Sequence, residues 1–256
     1  PKVTPDMFKT ALKELGFADV YETAIGADLG CMAEAEHYVK EVATGNQAFA
    51  LTSCCPSWAV MAKNLFPEPI DKISNELTPM VATARIIKKE HPEALVVFIG
   101  PCASKKLEAS RRTVRSDVDF VITFEELTGM FEAKGILLEE LKAMDAMEDA
   151  TGAGRGYGVA GGVASAIEEC IRKYYPGTEV KIEHAESLAE CKKMLLLAKA
   201  GKKNGCLIEG MACPGGCIAG AGTNISVAQA AKAVAKFKAE AKEAVPEEPV
   251  TGEKTE

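Results

Sequence analysis

Apolar residues recur along this chain in two different periods, which predict two kinds of secondary structure. Helical spacing predicts helices over 5–15, 33–42, 57–65, 79–89, 124–133, 163–173, 187–200 and 229–244. Short runs rich in β-branched residues predict strands over 20–23, 48–52, 94–99, 118–123, 180–184 and 206–209. The glycine-rich stretch 151–162 predicts a loop that closely approaches a site.

This alternation of strands and helices predicts an α/β fold. We expect two lobes, each with a mostly parallel sheet flanked by helices. The first lobe is predicted to span 1–134 and the second 135–244. Residues 245–256 are polar and contain several glutamates and prolines, which predicts a disordered tail.

Three of the predicted strands end just before a loop that carries cysteine. These loops contain Cys54, Cys55, Cys102, Cys213 and Cys217. Ligands of open α/β sheets collect beyond the carboxyl ends of the strands. We therefore expect these loops to meet at one site, in the cleft between the two lobes.

The composition adds a metal or redox function to this picture. The chain has 256 residues, nine cysteines, only three histidines and a formal net charge of −7. Disulfide frameworks are typical of short secreted domains, so thiols that bind metal or carry out redox chemistry are the better interpretation. The acidic charge disfavours nucleic acid, and no stretch approaches the ~20 apolar residues of a membrane helix. No secretory leader is recognisable and the thiols are oxidisable, so we expect a cytoplasmic, anaerobic setting.

The cysteine spacing favours an iron–sulfur cluster over zinc. Neighbouring side chains in an extended segment point in opposite directions, so Cys54 and Cys55 are not expected to bind the same iron. Four cysteines from separate loops suit either zinc or a [4Fe–4S] cluster. Structural zinc sites usually pair their cysteines closely, whereas here only Cys213 and Cys217 are close. On spacing alone, two buried structural cysteines are an alternative for that pair.

Three segments resemble the signatures of [FeFe] hydrogenases, in the same order as in that family. They read TSCCPSW over 52–58, PCASKKLE over 101–108 and EGMACPGGC over 209–217. The resemblance extends to ELGF over 14–17, IGADL over 25–29 and GVAGGVASAI over 158–167. It therefore covers most of the chain and implies the domain that carries the H-cluster.

The resemblance implies a set of metal ligands and the reaction 2H⁺ + 2e⁻ ⇌ H2. The [4Fe–4S] cluster would be held by Cys55, Cys102, Cys213 and Cys217. Of these, Cys217 would also bridge to a diiron subcluster that carries CO, cyanide and a bridging dithiolate. Maturation proteins would insert that subcluster.

Five further residues would surround this cofactor. The resemblance implies that Lys105 donates to a cyanide ligand, that Glu108 orients Lys105, and that Met211 packs against the diiron unit. Gly100 stands where the family usually has Met, which is expected to open space near the cluster. Tyr157 stands where Phe is usual. These departures indicate a divergent branch of the family.

A proton relay is also implied by the resemblance. Cys54 would be the first proton carrier, followed by Glu34 and Ser74. His37 occupies a position where a further glutamate is expected, and histidine can carry protons near neutral pH.

The implied partners are ferredoxin or another electron-carrier domain, and a missing N-terminal segment or subunit that completes the site. Two other functions are consistent with the same cysteines: a non-catalytic iron–sulfur assembly scaffold and an H2 sensor. A zinc-stabilised domain is a further alternative, but it accounts for none of the matches outside the cysteines. Cys54 favours the enzyme, because a scaffold has no need of a proton-carrying thiol beside its ligand.

Overall fold

The computed structural model describes residues 3–66, 72–115, 117–147 and 150–247. Its α-helices are α1 Pro5–Leu15, α2 Ala24–His37, α3 Pro56–Leu65, α4 Pro79–Glu90, α5 Ser104–Ala109, α6 Phe124–Lys134, α7 Gly152–Arg155, α8 Gly162–Tyr174, α9 Leu188–Lys199 and α10 Val227–Ala239. Its strands are β1 Ala50–Leu51, β2 Val97–Gly100, β3 Phe120–Thr123, β4 Lys181–Glu186 and β5 Cys206–Met211. A π-helical turn, Tyr38–Val42, extends α2.

The strands form two parallel sheets, which confirms the predicted α/β fold with parallel sheets and flanking helices. One sheet has the order β1-β5-β4 and the other pairs β2 with β3. All six residues of the central strand β5 are buried, as is usual for a parallel strand covered on both faces. The carboxyl ends of β1, β2 and β5 are therefore positioned to carry the cysteine loops.

Local signals explain why several helices begin where they were predicted to begin. Thr4 caps α1 by accepting from the Met7 amide, Pro5 occupies the first helical turn, and Gly16 ends the helix in the left-handed conformation with φ of 115°. At α6, Thr123 and Glu126 form a reciprocal capping box.

Three predicted elements differ from the structure. Residues 20–23 form no strand, and α2 begins at Ala24 rather than at residue 33. Glycines in this segment weaken its helical pattern, but Gly26 is required by packing because a Cβ there would overlap the Pro79 carbonyl oxygen of α4. The predicted loop 151–162 contains α7 and a 3₁₀ turn, Gly156–Gly158. Helix formation there depends on contacts with α2 and α10 rather than on local propensity.

The largest core cluster includes residues from both predicted lobes. It joins Leu51 of β1 and Trp58 of α3 to Ile167 of α8 and to Leu207 and Ile208 of β5. Because β1 pairs with β5, the sheet does not separate at residue 134. The ranges 1–134 and 135–244 stay a prediction, and most of the predicted tail lies outside the described residues. Within the described residues, no helix has the length and apolar character needed to cross a membrane.

Candidate metal centre and proton path

The three cysteine loops lie against one another at the carboxyl ends of β1, β2 and β5. The Ser57 and Ser104 hydroxyls, which follow Cys55 and Cys102, hydrogen-bond at 2.6 Å. The loop after Cys217 contacts the loop of Cys102, because the Gly222 amide donates to the Pro101 carbonyl at 2.9 Å. Loops from distant parts of the sequence therefore meet at one place.

The four cysteines proposed as ligands share one electrostatic environment. Burial raises the pKa of Cys217 to about 12, and Cys55, Cys102 and Cys213 raise it further. Burial, followed by Cys102 and Cys55, also raises the pKa of Cys213. Four thiolates this close repel one another unless a cationic centre compensates for their charge. The donor set therefore fits a thiolate-bound iron–sulfur cluster. Within the described residues, no three His, Cys, Asp or Glu side chains are arranged to bind a single metal ion.

Two glycines shape the turn between Cys213 and Cys217. Gly215 and Gly216 have φ of 97° and 88°, a region that side chains disfavour. The Gly215 carbonyl accepts from the Ala160 amide at 3.0 Å, and a Cβ on Gly216 would lie 2.8 Å from the Gly158 carbonyl oxygen. The backbone of the glycine-rich segment can pack this closely against the cysteine turn only because glycine is present.

Glu209 holds that glycine-rich segment in place, a role that the sequence analysis missed. Its side chain is fully buried, and its two carboxylate oxygens accept from the Gly161 and Ala164 amides, each at 2.8 Å. Burial raises the pKa of Glu209, and the backbone donors oppose this effect. Its position as the first residue of the third signature was the available signal. Glu209 thereby ties the start of α8 to β5.

A buried ion pair lies beside the cysteines. Lys105 Nζ lies 2.6 Å from Glu108 Oε2, with only 9% and 5% of the two side chains exposed. The same ammonium lies 3.4 Å from the Cys54 carbonyl oxygen and, by its charge, lowers the pKa of both Cys54 and Cys217. A fixed, desolvated cation faces the place where the cysteines meet.

The structure corrects one expectation for the cofactor surroundings. Gly100 was expected to open space near the cluster, but the Phe98 ring covers it, and a Cβ on Gly100 would lie 2.7 Å from Phe98 Cζ. Phe98 also lines a cavity of about 630 Å³ between α1, α4 and β2, which has no cysteine among its described lining residues.

Met211 is buried at the end of β5, two residues before Cys213.

The residues predicted for the proton relay lie on neighbouring elements. Burial raises the pKa of the Cys54 thiol well above its ordinary value, with smaller contributions from Glu209, Cys217 and Cys55. Burial also raises the pKa of Tyr157, and Glu34 and Cys54 both add to this effect. Tyr157, the Cys54 thiol and the Glu34 carboxyl group therefore share one buried electrostatic environment.

A carboxyl group that the sequence did not indicate, Glu76, lies in electrostatic range of the outer residues predicted for the relay. Glu34 is buried and hydrogen-bonds to Ser74 through its side chain. His37 lies three residues after Glu34 on α2, and its charge lowers the pKa of Glu76, which burial otherwise raises. Folding brings Glu76 within electrostatic range of Glu34 and His37.

The amino-acid sequence matches a family model described as "Iron only hydrogenase large subunit, C-terminal domain" over residues 1–221. The chain belongs to this family. It is 29% identical over 254 residues to iron hydrogenase 1 of Clostridium pasteurianum. That alignment covers 83% of this chain and 44% of that protein. It is 30% identical over 264 residues to the periplasmic [Fe] hydrogenase large subunit of Nitratidesulfovibrio vulgaris, and this alignment covers 86% of this chain and 62% of that protein. The chain thus spans about half the length of these relatives.

Iron–sulfur assembly factors also match this hydrogenase domain. The cytosolic Fe-S cluster assembly factor NAR1 of Meyerozyma guilliermondii is 28% identical over 134 residues, covering 47% of this chain and 25% of that protein. Among solved structures, an [FeFe]-hydrogenase HydA(deltaEFG) has a TM-score of 0.75 at 25% identity, covering 95% of this chain and 81% of that one. A variant of the [FeFe]-hydrogenase HydA1 from Chlamydomonas reinhardtii has a TM-score of 0.77 at 24% identity, with the same coverage, and supports the fold alone.

The buried carboxyl group of Glu34 predicts a pH-dependent stability of this hydrogenase domain. Burial raises its pKa from 4.5 to about 8, so the folded state retains a proton that the unfolded state loses in this range. The free energy of unfolding is therefore expected to fall as pH rises from about 4.5 to 8, by roughly a few kcal/mol from this residue. Urea unfolding at several pH values should show a shallower decline for Glu34→Gln.

A surface variant provides the control for this measurement. Glu36→Gln changes an exposed carboxylate on the same helix, so it should keep the wild-type slope. A Glu34→Gln protein with the wild-type slope would contradict the assignment of the raised pKa to Glu34.

Proposed function

We propose that this chain is the catalytic domain of an [FeFe] hydrogenase that interconverts 2H⁺ + 2e⁻ and H2. The observation that carries this proposal is the environment of Cys54. Cys54 precedes the proposed ligand Cys55, its carbonyl accepts from the Lys105 ammonium, and its thiol shares an electrostatic environment with Tyr157, to which Glu34 also contributes. A site that only stored a cluster would need neither a spare thiol nor a fixed cation.

The cofactor would be held by this chain's thiols and its buried lysine. Cys55, Cys102, Cys213 and Cys217 would bind a [4Fe–4S] cluster, and Cys217 would also bridge to a diiron subcluster carrying CO, cyanide and a dithiolate. When bound, this H-cluster supplies the redox chemistry that joins protons and electrons. Lys105, oriented by Glu108 at 2.6 Å, would donate to an anionic ligand of the subcluster.

Protons would reach the site through side chains of this chain. Cys54 would give and recover the proton nearest the cofactor, and Glu34 would exchange protons with it past the Tyr157 hydroxyl. Glu34 can act as donor or acceptor near neutral pH because its pKa lies at about 8. Ser74 and His37 would connect Glu34 with solvent.

The surroundings of the cofactor follow from buried residues of this chain. Met211 would pack its thioether against the diiron unit, and Gly100 would lie near the cluster at the end of β2. Maturation proteins would insert the subcluster, and ferredoxin or another electron carrier would supply electrons. We place this function in an anaerobic cytoplasm, although one relative is described as periplasmic.

A second candidate function is iron–sulfur cluster assembly. The match to the NAR1 assembly factor, which covers 47% of this chain, favours it. In this case the four cysteines would hold a [4Fe–4S] cluster without the diiron unit. The thiol of Cys54 and the cation of Lys105 would then have no chemical role.

Infrared spectroscopy of the anaerobic protein, reconstituted with iron and sulfide and then supplied with a diiron cofactor, tests the proposal. We expect bands in the CO and cyanide stretching region that shift under H2. The Cys217→Ala variant should lack these bands because it removes the bridging thiolate. A [4Fe–4S] electron paramagnetic resonance signal without CO or cyanide bands in the wild type would contradict hydrogenase activity and favour assembly.

A further inference from the structure

Glu186 is the last residue of β4 and lies beside the strand that leads into the turn Cys213–Cys217. It pairs in register with Met211 of β5, which is two residues before that turn. The Ser187 amide continues this pairing by donating to the Met211 carbonyl at 2.9 Å. The backbone of Glu186 is therefore fixed against β5 at the point where the cysteine turn begins.

The side chain of Glu186 contacts the middle of this turn. Its carboxylate oxygen Oε2 accepts from the Gly215 amide. The Gly215 carbonyl accepts from the Ala160 amide at 3.0 Å, in the glycine-rich segment that Glu209 holds. A Cβ on Gly215 would lie 2.7 Å from Val227 Cγ1 of α10. The amide, the carbonyl and the α-carbon of Gly215 thus each contact a different part of the chain.

The residue after Glu186 has a strained backbone. Ser187 has φ of 88° and ψ of 145°, and it is the only non-glycine residue with a positive φ in the described part of the chain. Its hydroxyl accepts from the Glu190 amide at 3.3 Å and so caps α9. A conformation of this kind costs about 1–3 kcal/mol and persists only where its surroundings fix it. The chain is therefore held on both sides of the Glu186 carboxylate, by β5 and by α9.

The contact with Gly215 has a consequence for a cluster bound by the two cysteines. Hydrogen bonds to the sulfur atoms and the local charge both set the reduction potential of an iron–sulfur cluster. Glu186 occupies the Gly215 amide, and it places a carboxylate at a residue that is two positions from both Cys213 and Cys217. A donor withheld from sulfur and an added negative charge both favour the oxidised, less negative cluster.

We propose that Glu186 is a positioning residue that holds the Cys213–Cys217 turn ready for iron and lowers the reduction potential of the cluster bound there. This rests on the [4Fe–4S] cluster of the proposed function and does not require the diiron subcluster. Glu186 itself binds no iron and transfers no proton or electron. It acts through the amide of Gly215 and through its charge.

Amide hydrogen exchange in the cofactor-free protein tests the contact. Glu186→Ala removes the acceptor, so exchange at Gly215 is expected to become roughly 10- to 100-fold faster. Glu183→Ala is the matched control. Glu183 lies on the same strand, three residues earlier, and pairs with Lys203 at 2.5 Å, so its loss should leave exchange at Gly215 unchanged. Wild-type exchange at Gly215 in Glu186→Ala would overturn the proposed contact.

Redox titration of the [4Fe–4S] protein, followed by electron paramagnetic resonance, tests the effect on the cluster. Glu186→Gln keeps an acceptor oxygen but removes the charge, so it should bind as much iron as the wild type. At a fixed applied potential, its ratio of reduced to oxidised cluster should rise roughly tenfold, which is about 59 mV for one electron. Glu186→Ala also frees the Gly215 amide, so it should raise the potential further and retain less iron.

The outcomes separate a redox role from a purely structural one. Glu183→Gln should keep the wild-type potential. If the Glu186 variants lost iron while the remaining clusters kept the wild-type potential, or if Glu186→Gln left the potential unchanged, the proposal would be wrong. Thermal unfolding of each variant checks that the substituted proteins are folded.

Failure of the hydrogenase function would be distinguishable from failure of this inference. A wild-type protein that binds a [4Fe–4S] cluster but shows no CO or cyanide bands would refute the function, and the redox titration would still decide the role of Glu186. A wild-type protein that binds no cluster would refute both the proposed cofactor and the redox role.

Discussion

Alanine at Cys55 is expected to abolish iron binding, whereas alanine at Cys54 should leave the iron in place and lower H2 turnover by roughly 10²–10⁴-fold. The two thiols are neighbours in sequence but have different surroundings. Cys55 is 9% exposed and raises the pKa of both Cys213 and Cys217, so it belongs with the proposed ligands. Cys54 and Glu34 both contribute to the raised pKa of Tyr157, so these three groups share one environment.

Iron and acid-labile sulfide content, followed by turnover of the loaded protein, would separate these two roles. Cys206 provides a matched control because it is also buried and has no proposed role. Cys206→Ala should keep both iron content and activity. If Cys54→Ala lost iron as Cys55→Ala does, the division between ligand and proton carrier would be wrong.

Glu22→Gln is expected to lower the free energy of unfolding by about 3–5 kcal/mol, because it leaves a buried guanidinium without its carboxylate. Arg155 contacts Glu22 through two bonds, Nε to Oε2 at 2.8 Å and Nη2 to Oε1 at 2.6 Å. Only 3% and 2% of the two side chains are exposed. Arg155 also donates to the Phe237 carbonyl at 3.1 Å and stacks on the Phe237 ring at 3.8 Å.

This pair thus connects the chain before α2 with α7 and α10. Urea unfolding of the purified protein measures the loss. Glu240→Gln is the control, because Glu240 pairs with Lys236 at 3.5 Å and both side chains are at least half exposed. Glu240→Gln should lower the free energy of unfolding by less than about 1 kcal/mol. If Glu22→Gln and Glu240→Gln lowered the free energy of unfolding equally, burial of the Glu22–Arg155 pair would not explain its contribution.

The positions of several helices could be predicted because their ends are encoded locally. Thr4 and Pro5 start α1 and Gly16 ends it, while prolines begin α3 and α4 at residues 56 and 79. A cap or a proline acts within one turn of the backbone. The alternation of strands and helices along the chain was likewise sufficient to predict a parallel α/β fold.

Elements that depend on distant contacts were predicted less well. The helix was predicted to begin at residue 33, yet α2 begins at Ala24 and includes Gly26, which packs against α4. The expectation of open space at Gly100 was wrong because the ring of Phe98, two residues earlier, folds over it. Sequence spacing gives no information on side-chain direction at such a position.

The amino-acid sequence by itself determined the family, the fold class and the cysteines proposed to bind iron, because the signature motifs are local and specific. The tertiary structure alone decided which side chains surround those cysteines. Glu209 holds the glycine-rich segment over β5, and the Lys105 ammonium reaches the Cys54 carbonyl. These contacts are made between residues far apart in the chain, so their geometry depends on how the sheets and helices pack rather than on any local pattern.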